Sequence, residues 1–181
     1  RAIQGARKAQ QEWAAMSLAK RTAVMFNFRN LMVERQDELA AIIVKEGGKT
    51  HGDALGEIAR GLEIVEFACG IHNALKGDYT SGASTGIDIH TIRQPVGVVG
   101  AICPFNFPMM VPMWMHPMAL ATGNAVVLKP ATPVPTVSLT VAKMYQEAGL
   151  PDGLFQVVCG DKQVVEQMLN SDGIDAISFV G

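Results

Sequence analysis

The sequence predicts an α/β protein: a helical N-terminal portion followed by a doubly wound parallel sheet. Three observations carry that expectation. Apolar residues recur at helical spacing through most of residues 1–78. Loop chemistry and one alternating segment occupy residues 79–94. From Pro95 to Gly181, short apolar runs of strand length alternate with helix-length segments. Strands separated by helices of that length are joined in parallel and covered on both faces.

Residues Arg1–Met16, rich in Ala, Gln, Lys and Arg, predict a first helix. Ser17 is placed to cap a second, whose apolar positions are Val24, Met25, Phe28, Leu31 and Met32. The pattern resumes at Leu39, Ile42 and Ile43 and stops at Gly47-Gly48. Thr50 or Asp53 opens another helix carrying Ile58, Leu62 and Val65 on one face, in which Gly56, Gly61 and Gly70 predict close packing. Gly77–Gly82 reads as loop, and Ile87–Thr91 alternates like a half-exposed strand. Strands are then expected at Val96–Ile102, Ala125–Leu128, Leu154–Val158 and Ile174–Val180. Helices are expected between them at Met109–Thr122, Pro135–Ala148 and Asp161–Leu169. In such a sheet the ligand sits beyond the carboxyl ends of the strands. Those ends are Cys103–Pro108, Lys129–Thr132, Gly160 and the chain terminus.

The 181 residues fit one domain with an ample core, at 49% hydrophobic and 18% charged. A net charge of −2, evenly mixed, offers no basic face for nucleic acid. The uncharged stretch from Gln94 to Leu128 is long enough to cross a bilayer, but Pro95, Pro104, Pro108, Pro112 and Pro117 break it. No membrane span is expected. Cys69, Cys103 and Cys159 form neither a disulfide framework nor a metal knuckle, which points to a reducing compartment. That compartment is the cytoplasm, or the mitochondrial matrix in a eukaryote. The start at Arg1 lacks an initiator Met and reads as mid-helix, and a strand ending at Gly181 reads as an unfinished sheet.

Several motifs fail on their context. Gly82-Ala83-Ser84-Thr85-Gly86 matches a nucleophile elbow but lies in a polar loop before a strand. Gly48-Lys49-Thr50 resembles the end of a phosphate loop, yet Ile43 stands where the first glycine is required. Gly97 and Gly100 do not complete a dinucleotide fingerprint. None of His51, His72, His90 and His116 has ligand spacing with another His or Cys, so no metal site is expected.

One constellation holds. Pro104-Phe105-Asn106-Phe107-Pro108 follows an apolar strand, and Val127-Leu128-Lys129-Pro130 ends the next. Asn106 is a polar amide flanked by prolines at a strand end, able to donate to a developing oxyanion or to serve as a turn residue. Lys129 is the first charge after a long apolar run, suited to an anionic or hydroxyl-rich cofactor or to plain solvation.

With Gly123–Pro130, Ala148–Gly153 and the closing Ile177-Ser178-Phe179-Val180-Gly181, these segments resemble the aldehyde dehydrogenase superfamily over essentially the whole chain. Arg60–Gly70 and Phe105–Met115 are most similar to its CoA-acylating methylmalonate-semialdehyde branch. The resemblance implies a Rossmann-like cofactor domain, with residues 1–181 a single partial cofactor-binding domain and the catalytic domain absent. It implies that a cysteine thiolate attacks the aldehyde, that hydride passes to a nicotinamide, and that a thioester remains. In that branch the acyl group loses CO2 and passes to coenzyme A. The family's nucleophile and general-base glutamate lie C-terminal to Gly181, so the chain alone is expected to be inactive.

The carried-over roles are Asn106 as oxyanion donor and Phe105, the backbone at Cys103, and Lys129 as cofactor contacts. Cys103 itself reads as a small apolar residue filling the strand end. Thr132 departs from the pattern, since many relatives carry Glu there; NAD is expected, with NADP tolerated. Arg60 is implied near the substrate carboxylate; the alternative is an ion pair with Glu57 and Glu63. A homo-oligomer, dimer or tetramer, is implied too. The alternatives are a hydrolytic aldehyde dehydrogenase releasing a free acid, and a binding module without chemistry.

Overall fold

The computed structural model describes residues 1–181. Its N-terminal portion contains α1 (Ala2–Ala15), α2 (Leu18–Glu34), α3 (Gln36–Gly47) and α4 (His51–Cys69). The expected caps are in place. Ser17 Oγ accepts from the Lys20 N–H at 3.4 Å, a long bond, and Thr50 Oγ1 accepts from the Asp53 N–H at 3.2 Å. The break between α2 and α3 is local, at Arg35, whose guanidinium bridges Glu38 and Glu147.

The short strands β1 (Tyr79–Ser84) and β2 (Ile87–His90) pair antiparallel into a hairpin. Two expectations change here. Gly77–Gly82 is not all loop, because its last four residues are strand, and β2 is exposed along its whole length rather than on alternate residues. Gly82–Gly86 therefore spans a strand end and a hairpin turn, not a strand-to-helix elbow.

The rest is β3 (Val98–Ile102), α5 (Met110–Ala121), β4 (Ala125–Lys129), α6 (Thr136–Glu147), β5 (Phe155–Val157), α7 (Lys162–Leu169) and β6 (Ala176–Phe179). All strand pairs are parallel, in the order β5-β4-β3-β6. The chain winds outward from β3 through β4 to β5, then returns to β6 on the other side of β3. The order reverses between β3 and β6, which places the ligand crevice at their carboxyl ends. No helix is long and apolar enough to cross a membrane.

The core runs through both portions. Trp13, Met25, Phe28, Leu39 and Ile58 from the helices share one buried cluster with Val98, Met113, Leu128 and Tyr145. Of the α4 glycines, only Gly61 is required by packing: a Cβ there would meet Met113 Cγ at 3.0 Å, whereas at Gly56 it would meet nothing. Gly97 answers to conformation (φ 129), and a Cβ there would lie 2.1 Å from Asp175 Oδ2. That carboxylate accepts from the Val98 N–H at 2.7 Å and pairs with Arg7 at 3.0 Å, tying β6 and α1 to the start of β3. The buried Arg21 spends its donors on main-chain carbonyls, including Ala121 at the end of α5 and Ala14 at the end of α1. Burial pushes its guanidinium below the usual arginine range.

Candidate active site

At the carboxyl ends of β3, β4 and β6 lies an open depression of about 670 Å3, lined in part by Cys103, Phe105, Asn106, Lys129, Thr132 and Val180. Its size falls in the range of ligand sites. Five of the six sequence-predicted residues are thus brought together, and Arg60, on α4, does not line the depression.

Each strand contributes through its last residue and the turn beyond it. β3 ends at Ile102, and Cys103 is still held to the sheet by its N–H to the Lys129 carbonyl at 3.2 Å. Its thiol is buried, with Sγ 3.7 Å from Met115 Sδ, and burial drives its pKa to about 12 despite the nearby Lys129 cation. Such a thiol is a filler, not a nucleophile. Cys69 is also buried and pushed up, while Cys159 is exposed; all three are free. After Cys103 the chain turns outward, leaving Phe105 67% exposed and Asn106 exposed beside it. The Asn106 amide is not folded back onto the turn by any hydrogen bond.

Lys129, the last residue of β4, is only 7% exposed. Its Nζ donates to the Pro130 carbonyl at 2.6 Å, and no carboxylate pairs with it. An ammonium group has three donors, so two remain for whatever enters the depression. A buried cation without a counter-ion is costly unless hydroxyls or anions complete its shell. Thr132 is exposed and donates its hydroxyl to the Gly160 carbonyl at 3.0 Å, which links the turns after β4 and β5 and leaves its oxygen free to accept.

On the C-terminal side of the Pro104–Pro108 turn lies an arrangement that the sequence did not disclose. Glu57, on α4, is fully buried, and its Oε1 accepts from the Met109 and Met110 N–H groups at 2.8 and 3.0 Å. Its Oε2 accepts from Lys49 Nζ at 2.5 Å. The N-terminus of the helix after the first sheet strand is where a dinucleotide pyrophosphate usually lands. Here a carboxylate of the chain fills that position, in accord with the missing dinucleotide fingerprint. The signal for Glu57 was its position on the apolar face of α4, one helical turn from both Ala54 and Gly61.

Lys49 Nζ also lies 3.9 Å from the centroid of the Phe107 ring, and the Arg60 guanidinium carbon is 5.6 Å from the same ring. The expected alternative for Arg60, an ion pair with Glu57 and Glu63, does not form. Glu57 is turned inward to Lys49, and Arg60 joins no salt bridge. Its charge is therefore exposed and uncommitted, next to the residue that follows Asn106.

The aldehyde dehydrogenase family model matches residues 1–181 in full. The chain belongs to the aldehyde dehydrogenase family. Among curated relatives, malonate-semialdehyde dehydrogenase of Lacticaseibacillus casei is 46% identical over 180 residues, 99% of this chain and 37% of that protein. The crystal structure of methylmalonate-semialdehyde dehydrogenase from Oceanimonas doudoroffii superposes with a TM-score of 0.95 at 46% identity, covering 97% of this chain and 36% of that one. A Sinorhizobium meliloti 1021 structure described as a methylmalonate-semialdehyde dehydrogenase, complexed with NAD, also gives 0.95 and 46%, covering 98% and 36%. The chain thus spans little more than a third of the length of these relatives. The parallel sheet and its helices are those of the family's fold.

Proposed function

We propose that this chain is the nicotinamide-binding part of a CoA-acylating dehydrogenase acting on malonate or methylmalonate semialdehyde. The observation that carries the cofactor reading is Lys129: a buried, carboxylate-free ammonium with two spare donors, facing the crevice where the strand order reverses. Those donors suit the hydroxyls of the cofactor's adenosine ribose, with Thr132 accepting from the same sugar and exposed Phe105 offering an apolar wall. Bound there, the nicotinamide would supply the acceptor for the hydride of the aldehyde carbon. Asn106 donates its amide N–H to the oxygen that becomes anionic when the nucleophile adds. Burial and raised pKa values unsuit Cys69 and Cys103 as nucleophiles, and Cys159 does not line the crevice, so residues 1–181 alone are expected not to oxidise aldehydes; aldehyde-dependent reduction of a nicotinamide by the purified chain would overturn this. A homo-oligomer belongs to the same reading, supported by the exposed Ile87, Ile89 and Ile92 in and beside the β1–β2 hairpin.

The semialdehyde reading rests on Arg60, a cation with no carboxylate partner beside the Asn106 loop. Assays of the full-length protein with semialdehyde acids and with propanal, with and without coenzyme A, test it. Turnover of the acids that requires coenzyme A is the expected result; equal release of free acid without it would establish the hydrolytic alternative. Arg60→Leu should lower kcat/KM for the acids by roughly ten- to a hundredfold and leave propanal nearly unchanged, as one lost charged hydrogen bond implies. Equal losses on both substrates would remove Arg60 from substrate binding.

Cofactor choice turns on position 132. Thr132 keeps an acceptor oxygen but carries no negative charge to repel a 2′-phosphate, and Lys129 supplies a cation nearby. NAD use with measurable NADP activity is expected. Thr132→Glu should raise the NAD/NADP ratio of kcat/KM by about tenfold or more through like-charge repulsion. An unchanged ratio would show that charge at this position is irrelevant.

A further inference from the structure

The oxyanion donor proposed above sits in an exposed turn, and an exposed turn does not by itself hold an amide to the tolerance that catalysis needs. Pro104–Pro108 contains no strand or helix, and Asn106 makes no hydrogen bond that would fix it. Something else must hold the loop, and its C-terminal side shows what does. Glu57, with no exposed surface, clamps the Met109 and Met110 N–H groups through one oxygen. These are the first donors after the loop, at the positive end of α5. Its other oxygen fixes Lys49, whose ammonium lies over Phe107, the neighbour of Asn106. One buried carboxylate thus grips the loop twice, by backbone at Met109–Met110 and by side chain at Phe107.

We propose that Glu57, acting with Lys49, is a positioning residue for Asn106. It touches neither substrate nor cofactor, and it rests on the reading of Asn106 as oxyanion donor. Three features favour positioning over simple burial of a charge. Glu57 uses both oxygens, each on a group next to the loop. Lys49 is itself 20% exposed in its side chain, so it has access to water and is not trapped by its partner. The ring it covers belongs to the five-residue segment that presents Asn106 and anchors that segment on the edge of the core.

The decisive variants are Glu57→Gln, which keeps an acceptor for the N–H groups but loses the charge, and Glu57→Gln/Lys49→Met, which leaves no unpaired buried charge and guards against simple unfolding. Two readouts are needed. In the 181-residue chain, amide exchange over residues 104–110 should quicken by about tenfold in the double variant, with β3 and β4 protection unchanged. In the full-length protein, kcat should fall by tenfold or more while KM for NAD stays within about threefold. Adding Asn106→Ala to the double variant should then cost much less than it costs alone, because both changes disable one device. Full additivity, or unchanged exchange in the loop, would overturn the proposal. If the full-length protein oxidises no aldehyde at all, the functional reading falls, and the exchange measurement still decides whether Glu57 holds the loop.

Discussion

Asn106→Ala is expected to lower kcat of the full-length protein by about a hundredfold or more, the usual cost of deleting one oxyanion donor. The expectation follows from what the amide does not do. A turn asparagine of structural purpose folds its side chain back onto neighbouring N–H or C=O groups. Asn106 does not: it is exposed at the rim of the depression, and the turn is held from elsewhere. Truncation should therefore cost little stability. Because the donor is used only as charge develops, KM for NAD should hardly move. Asn106→Asp is a sharper companion, since it keeps the shape and replaces a donor with a negative charge facing a negative oxygen. It should be at least as damaging. Near-normal turnover in the alanine variant would return Asn106 to the status of a turn residue. A raised KM for NAD with intact kcat would make it a cofactor contact instead.

What was legible in the sequence was what repeats. The sheet was legible because residues 98–102 and 125–128 are apolar on both faces, as strands covered on both sides must be. The cap at Ser17 was legible because a hydroxyl before a periodic run has few other uses, and the structure chooses Thr50 over Asp53 as the cap of α4. The hairpin strand Tyr79–Ser84 was not, because exposed residues on both faces leave no alternation to detect. The crevice residues were legible through strand ends, where Cys103, Phe105, Asn106, Lys129 and Thr132 fall. Burial was the harder quantity. Lys129 reads equally as a cofactor cation or a solvated strand-end lysine until the structure shows it buried, its ammonium bonded to the Pro130 carbonyl. Glu57 and Arg60 look like two members of a surface charge pattern three residues apart, and the structure sends them in opposite directions. A single polar residue on an apolar stripe is weak in a sequence and unmistakable once its two oxygens have partners.

The largest stability effect is expected on mild acidification, and it comes from His116. This side chain is 1% exposed, shares a 2.9 Å hydrogen bond with the Tyr145 hydroxyl, and is packed against Phe28 and Phe155. Burial lowers its pKa from 6.5 to about 3, so the folded protein keeps it neutral where an unfolded chain would protonate it. The unfolded state then binds the extra proton between about pH 6.5 and 3, and stability falls as pH falls through that window. One proton corresponds to about 1.4 kcal/mol per pH unit once the unfolded histidine is fully charged, hence about 2 kcal/mol lost from pH 6.5 to 4.5. The carboxylates with lowered pKa, Asp175, Glu38 and Asp88, act the same way but only below their ordinary range near pH 4. The raised pKa values of Cys69, Cys103 and Tyr145 matter only in alkali. The interval from pH 6.5 to 4.5 therefore isolates the histidine. Urea unfolding of the 181-residue chain at pH 7.5, 6.5, 5.5 and 4.5 should give a falling unfolding free energy. His116→Leu should start lower at pH 7.5, by roughly 1–3 kcal/mol for the stranded Tyr145 hydroxyl. Its curve should then stay flat down to pH 4.5, so that the two proteins converge. A flat curve for the unaltered chain over this interval, or an equal slope in His116→Leu, would show that His116 is not the group that acid must charge.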